Sequence, residues 1–557
     1  MKLIIFMIVL ALVVIGLSVG LYFALKEQPH QGAVVANGIE CAEIGKNTLR
    51  LGGSAIDAAV ATLFCEGVTC PQSMGLGGGF IATIYKKETN TVETLIARES
   101  APLAATKDMF MNASSISGAL SVAVPGELRG YWELHQKYGK LPWKTLVQPS
   151  IDLCKNGYTV TNYLAKSLKG RERRILENPA FREIFVNPKT GRVWNQGDKA
   201  KRPELAKTLE LIADLGAGAM YDGGIIGKNL AKDIQNLGGI ITEEDFKEYQ
   251  YVKFLIFFII STTFGDGYQL YSTSLPGSGD VLAFALNLLS EMPTDDETVL
   301  WHRIVESFKH GYGLRSNLGD KRFVSGIEEK YAKEIRKLVF DDKTFEDYKY
   351  YGANFSNPNS HGTANMAVYA PNGDAITITS TINDILGSKL ISVSTGIILN
   401  DEMDDFSTPG ITNGFGIPPS PSNFIMPKKM PMSSMCPTII LDKKGDLRLL
   451  IGSAGGSKIT TSVALVIIKH LILHEPLDKA VQDRRLHHQL VPMMIQYEPG
   501  FDTVTFLINQ LFSLGHDIQE VPVGTGFSAL TAISISNGMP LPVFDMRRNG
   551  SKAVLDI

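Results

Sequence analysis

From Thr363 to Thr381 the chain has little choice but to form a β-hairpin. Met366-Ala367-Val368-Tyr369-Ala370 and Ala375 to Thr381 are two strand-forming runs. Between them lies Pro371-Asn372-Gly373-Asp374, whose Asn-Gly pair supplies the positive φ angles of a tight hairpin turn. The bond in front of the first strand, after His361, is Gly362-Thr363. A chain cut there gains one residue bearing both a hydroxyl and a free α-amine. That amine titrates near pH ~7.7–8.0, close enough to neutral to accept the hydroxyl proton, so one residue supplies nucleophile and base. A Gly-Thr hairpin alone is usually just a hairpin, and the rest of the sequence has to decide.

Two further hairpins are legible. Phe80 to Tyr85 and Thr91 to Ala97 flank a polar turn, which puts Arg98 at a strand end away from that turn. A guanidinium there can hold a carboxylate through two parallel hydrogen bonds, where a lysine fits poorly; a structural ion pair is the plainer alternative. Thr438 to Leu441 and Leu447 to Ile451 flank Lys443-Lys444-Gly445-Asp446, and the second run leads into Gly452-Ser453-Ala454-Gly455-Gly456 and a helix over about Thr460 to Leu473. Backbone N–H groups at Gly455 and Gly456, near the positive end of that helix, suit an oxyanion hole. A phosphate loop is excluded because no Lys-Ser or Lys-Thr follows at Walker spacing. Glu402 and Asp405, three apart in an Asp-Glu-Met-Asp-Asp run, converge if that segment turns, with Asp401 and Asp404 facing elsewhere. Asn383 offers an amide oxygen.

In sequence order, Gly52-Gly53-Ser54-Ala55, Gly75 to Phe80, Arg98-Glu99-Ser100-Ala101-Pro102, Val124-Pro125-Gly126-Glu127, Thr379 to Asn383, Asn400 to Phe406, Ser433 to Thr438 and Gly452 to Gly456 resemble the γ-glutamyltransferase (glutathione hydrolase) family of N-terminal-nucleophile enzymes. The resemblance runs from about Ala33 to Asp545. It sharpens an α+β reading to a four-layer αββα sandwich, with a heavy piece 33–362 and a light piece 363–557 forming one integrated heterodimer after self-cleavage. It implies that Thr363 is the nucleophile, that Thr381 positions it, and that Gly455 and Gly456 hold the oxyanion. Arg98, Ser433 and Ser434 then hold the α-carboxylate of a γ-glutamyl group, and Glu402, Asp405 and Asn383 its ammonium. Glutathione and related γ-glutamyl compounds are the expected donors; water, an amino acid or a dipeptide is the acceptor. A Cys41–Cys65 disulfide is also implied. Neither cofactor nor metal is expected. Asn365 stands where the family often has histidine, and the stretch from Tyr251 to Thr263 is unusually apolar for its place.

Other features bound the reading. A chain of 557 residues, 44% hydrophobic, can bury a large core, and a net charge of −3 gives no basic field for nucleic acid. Leu3 to Leu25 is an uncharged apolar run, long enough to span a bilayer. With residues 26–32 as linker it is read as a type II signal anchor that leaves the body outside the plasma membrane, a cleaved signal being the alternative. Asn112, Asn354 and Asn549 head glycosylation sequons, and five cysteines leave at least one thiol unpaired. Phe345 to Ser360 is expected to be an exposed segment that moves after scission. His470 and His474 share a helix face at i,i+4 but lack a zinc motif's remaining ligands. The competing function is a tethered homologue that binds without catalysis; an acylase acting on another amide is disfavoured because Arg98 and the Glu402/Asp405 pair match the two charges of an amino acid.

Overall fold

The computed structural model describes residues 31–250, 259–324, 331–356, 362–412, 416–500, 505–522 and 526–556. Its frame is twelve strands in two sheets. They are β1 (Gln31–Ala36), β2 (Gly79–Lys86), β3 (Thr91–Ala97), β4 (Ile259–Phe264), β5 (Tyr268–Thr273), β6 (Ala364–Tyr369), β7 (Ala375–Thr381), β8 (Thr438–Leu441), β9 (Leu447–Ala454), β10 (Ala529–Ser536), β11 (Met539–Phe544) and β12 (Ser551–Asp556). The first sheet runs β12-β1-β6-β7-β2-β3 and the second β11-β10-β9-β8-β5-β4. All three hairpins read from the sequence are present, and β6 and β7 pair from Ala364–Ser380 to Tyr369–Ala375.

Side-chain alternation sorts these strands into layers. Ala367 and Tyr369 face Ile439, Leu450 and Ile533 across the gap between the sheets. Met366 and Val368, one position out of phase, join a helical layer with Val60, Phe64, Leu128 and Leu146. Leu449, Ile451 and Leu530 face outward from the second sheet onto Leu282, Ile304, Val463 and Val466. The result is helix, sheet, sheet, helix: the expected four-layer αββα sandwich.

Local chemistry fixes the helices. In α1 (Ala55–Thr69), Ser54 and Asp57 close a capping box, and the Asp57 carboxylate also accepts from the backbone of Lys140 and Leu141. Asp57 is structural. Cys65 of this helix is bonded to Cys41, as the resemblance implied, leaving Cys70, Cys154 and Cys436 as buried thiols. α2 (Glu297–Arg315) and α3 (Lys458–Ile467) cover the second sheet. After Ile467 the chain widens into a π turn over Ile468–Ile472, and His474 lies beyond it with φ 56°. His470 and His474 therefore do not share a helix face.

Two other expectations change. The Phe345–Ser360 segment is exposed at Glu346, Asp347, Lys349 and Asn354 but anchored in its middle: Tyr351 is buried, hydrogen-bonds Glu306 and lies against His310, while 357–361 fall outside the described residues. The plasma-membrane location is withdrawn. Among the described residues no helix is long and apolar enough to cross a membrane; apolar helices such as α1 fall short of the ~20 residues a span needs and are spent on internal packing. The segment on which that expectation rested, residues 1–25, lies outside the described residues, as do 251–258. Ile259 and Ile260 open edge strand β4. Asn112 and Asn354 are exposed.

Candidate active site

The Gly362-Thr363 bond sits at the mouth of β6, held from several directions. The Thr363 hydroxyl donates to the Gly362 carbonyl oxygen, and the Thr381 hydroxyl donates to the same oxygen at 2.6 Å. Gly362 N–H donates to the Asn383 carbonyl at 2.5 Å, and Arg548 Nη1 donates to the Thr363 carbonyl at 2.9 Å. Thr381 reaches this point because β7 ends there against Gly78, where a Cβ would lie 2.0 Å from the Thr381 carbonyl oxygen. Asn383 follows with φ 70°, a left-handed conformation that asparagine tolerates. Its N–H donates to Thr381 Oγ1 at 2.9 Å, which leaves the threonine proton for Gly362. Thr381 thus contacts the Gly362 carbonyl, where the resemblance implied a contact to the Thr363 hydroxyl.

Asn365 points into the gap between the sheets. Its amide lies between the hydroxyls of Thr379 at 2.7 Å and Thr531 at 2.5 Å, against Gly452. The residue that departs from the family pattern is absorbed into a neutral polar bridge between β7 and β10.

A second cluster surrounds Arg98, fully buried just past the end of β3. Nη1 lies 2.7 Å from Glu402 Oε1, and Nη2 lies 2.5 Å from Asp405 Oδ2. Nε donates to the Pro431 carbonyl at 2.8 Å, and Tyr249 Oη donates to the carbonyl of Arg98. The acidic run does turn, as a 3₁₀ helix over Glu402–Asp405. Asp401 and Asp404 face away, to Asp384 N–H and the Ser115 hydroxyl. Burial works against the charge on Arg98, but Glu402, Asp405 and Glu99 outweigh it and hold the guanidinium above its ordinary value. Burial pushes Glu402 well above the usual carboxylate range despite Arg98, and lifts Glu99 to about 7. The expected arrangement had Arg98 and the two acids gripping opposite ends of a substrate; here they grip one another.

Ser433 and Ser434 lie beside this pair. Ser433 Oγ accepts from Met435 N–H, and Ser434 Oγ accepts from Arg315 Nη2 at 3.1 Å. Asn383 links the two clusters: its Nδ2 donates to the Asp401 carbonyl, next to Glu402, while its buried Oδ1 accepts nothing from the described residues. Gly455 and Gly456 turn with φ 145° and 65° ahead of α3, and a Cβ on Gly455 would lie 2.6 Å from Ser528 Cα. Gly455 opens onto a cleft of about 380 Å³ lined also by Tyr163, Lys166, Arg171, Asp384 and Arg548. Arg548 and Arg315 escaped the sequence reading; neither carries a local motif.

Nearly the whole length matches a known family: the gamma-glutamyltranspeptidase family model aligns with residues 41–555. The chain belongs to the gamma-glutamyltranspeptidase family. Among this family's relatives, a scoloptoxin (SSD14) from Scolopendra dehaani is 42% identical over 94% of this chain and 92% of its own. Glutathione hydrolase 3 of Arabidopsis thaliana is 36% identical over 91% of this chain and 82% of its own. The crystal structure of a cephalosporin acylase from Bacillus halodurans superposes with a TM-score of 0.81 over 94% of this chain and 96% of that one, at 22% identity. That likeness supports the four-layer αββα sandwich as the fold of this family member.

Proposed function

We propose that this enzyme cleaves the γ-glutamyl amide of glutathione and related γ-glutamyl compounds through an ester on Thr363, and passes the acyl group to water or to an amino acid or dipeptide. The observation that carries the reading is the convergence of the Thr363 and Thr381 hydroxyls on the Gly362 carbonyl. Maturation comes first. Thr363 Oγ attacks the Gly362 carbonyl carbon, Thr381 hydrogen-bonds the developing oxyanion, and the Thr363 hydroxyl proton passes to the amide nitrogen as the C–N bond breaks, leaving an ester and a free Thr363 amine. Water hydrolyses that ester, giving pieces 1–362 and 363–557.

In the mature site the new amine takes the Thr363 hydroxyl proton as Oγ attacks the γ-carbonyl, then returns it to the leaving nitrogen. Backbone N–H groups of Gly455 and Gly456 hold the oxyanion. The donor's α-carboxylate takes Arg98, Ser433 and Ser434; its ammonium takes Glu402, Asp405 and the idle Asn383 Oδ1. A zwitterion can exchange into the Arg98 cluster because it carries both charges that the cluster already pairs. The leaving amine exits by the cleft beside Gly455. Asn112 and Asn354 are proposed glycan acceptors.

The test is intact mass and N-terminal sequencing beside γ-glutamyl amide turnover. The natural chain should yield a fragment beginning at Thr363, and Thr363→Ala should stay whole and inactive. Efficient scission at the same bond in Thr363→Ala would overturn the mechanism. A folded natural chain that stays uncut and inactive would favour the binding-only homologue.

A further inference from the structure

Helix α2 ends inside the site, and its last turn touches both halves of it. Tyr312 Oη donates to the Ser457 carbonyl, directly after the Gly455-Gly456 turn. Arg315, three residues on, donates from Nη2 to Ser434 Oγ at 3.1 Å. Arg315 is 3% exposed. Burial lowers its affinity for the proton, and Tyr312 and Asp405 partly offset that. A charged side chain so deeply placed is costly unless its hydrogen bonds are used.

The chemistry of Ser434 shows what that bond does. A serine hydroxyl has one proton to give and two lone pairs. With one lone pair taken by the Arg315 guanidinium, the hydroxyl still has its proton to donate. Ser433 is prepared in the same way, its oxygen accepting from the Met435 N–H. The Ser434 main chain is fixed as well, since its carbonyl accepts from Thr460 in the first turn of α3. Two hydroxyl donors thus stand side by side next to Arg98, whose Nη2 also reaches the Met432 carbonyl at 3.4 Å.

We propose that Arg315 is a positioning residue for donor recognition, acting through Ser434 to aim its hydroxyl at the α-carboxylate of the γ-glutamyl group. This rests on the reading above that Ser434 holds that carboxylate. Arg315 touches no reacting atom, so its loss acts on donor binding and leaves the chemical step alone.

The experiment is a double-mutant cycle on the self-cleaved enzyme, with steady-state kinetics on a γ-glutamyl anilide. The variants are Arg315→Met, which keeps the volume and removes the donors, Ser434→Ala, and the pair. Arg315→Lys runs in parallel as the variant that keeps a buried charge. Self-cleavage and circular dichroism report folding. Arg315→Met and Ser434→Ala should each raise KM by about tenfold, the scale of one charge-assisted hydrogen bond, with kcat changed less than about twofold. In the Ser434→Ala background, Arg315→Met should add less than about twofold. The same donor with its α-carboxylate made an amide should lose the difference between natural enzyme and variants.

If Ser434→Ala leaves KM unchanged, the assignment of Ser434 falls and the proposal with it. If Ser434→Ala raises KM but the Arg315 effect is absent, or is equal in both backgrounds, the proposal alone falls. Should Arg315→Met fail to fold, Arg315→Lys carries the same cycle, since its ammonium cannot reproduce the guanidinium geometry.

Discussion

Replacing Thr381 by valine keeps the shape of the side chain and removes one hydroxyl. That hydroxyl makes two contacts: it donates to the Gly362 carbonyl at 2.6 Å and accepts from Asn383 N–H at 2.9 Å. Loss of the first removes a donor from the oxyanion formed when Thr363 attacks, typically worth about 2.7–4 kcal/mol, or about 10²–10³ in rate. Loss of the second leaves a buried N–H unsatisfied, a stability cost of about 1–3 kcal/mol. The two effects separate in a Thr363→Ala background, where no scission occurs and thermal unfolding measures the stability part alone. The rate part is read by halting cell-free synthesis and following the fragment that begins at Thr363 by gel and N-terminal sequencing. Thr381→Val should cut about 10²–10³ times more slowly than the natural chain, and Thr381→Ser should stay within about tenfold of it. Scission by Thr381→Val at the natural rate would show that the 2.6 Å contact plays no part in the transition state.

Arg98→Lys should still cut itself but raise the donor KM roughly 10- to 100-fold, because one ammonium cannot bridge Glu402 and Asp405 while also reaching the Pro431 carbonyl; unchanged donor affinity removes Arg98 from the site. Burial pushes the Glu127 carboxyl up to about 8 against hydrogen bonds from Tyr131 and Ser380. A raised carboxyl favours the folded state while protonated, so its contribution is full below its unfolded value near ~4.5 and is lost as pH rises towards 8. Glu127→Gln should therefore flatten the fall in melting temperature between pH 5 and 8, and an identical slope in both proteins would refute the assignment. Cys65→Ser opens the bond to Cys41 across a separation of 24 residues and should cost about 3 kcal/mol in denaturant titrations.

What could be read from the sequence was what short-range pattern decides. The hairpins declare themselves by alternation and turn residues, so Arg98 could be put at a strand end and Thr363 at a strand start. The 3₁₀ turn that brings Glu402 and Asp405 to one side spans only four residues. What could not be read was pairing at a distance. Arg98 and Asp405 are 307 positions apart, Arg315 and Ser434 are 119, and Arg548 and Thr363 are 185. No local rule says which acid meets which guanidinium, and an arginine at the end of a long helix reads as a C-terminal cap until the packing shows it buried. The π turn after Ile467 was equally hidden, because the apolar run continues through it and only the backbone changes.

The strand order of the first sheet carries a consequence for a chain cut before Thr363. Reading across β12-β1-β6-β7-β2-β3, strands from after the cut and strands from before it alternate in blocks, with β1 clasped between β12 and β6. Neither piece holds the whole of either sheet. While folded, the nicked molecule behaves as a monomer, and dilution does not separate its parts. Once denatured, it has lost the covalent tether that made its first assembly unimolecular, and recovery depends on two chains meeting in solution. Renaturation yield should rise with protein concentration for the cut enzyme and not for an uncut Thr363→Ala chain, so one broken peptide bond turns a reversible fold into one that is made once.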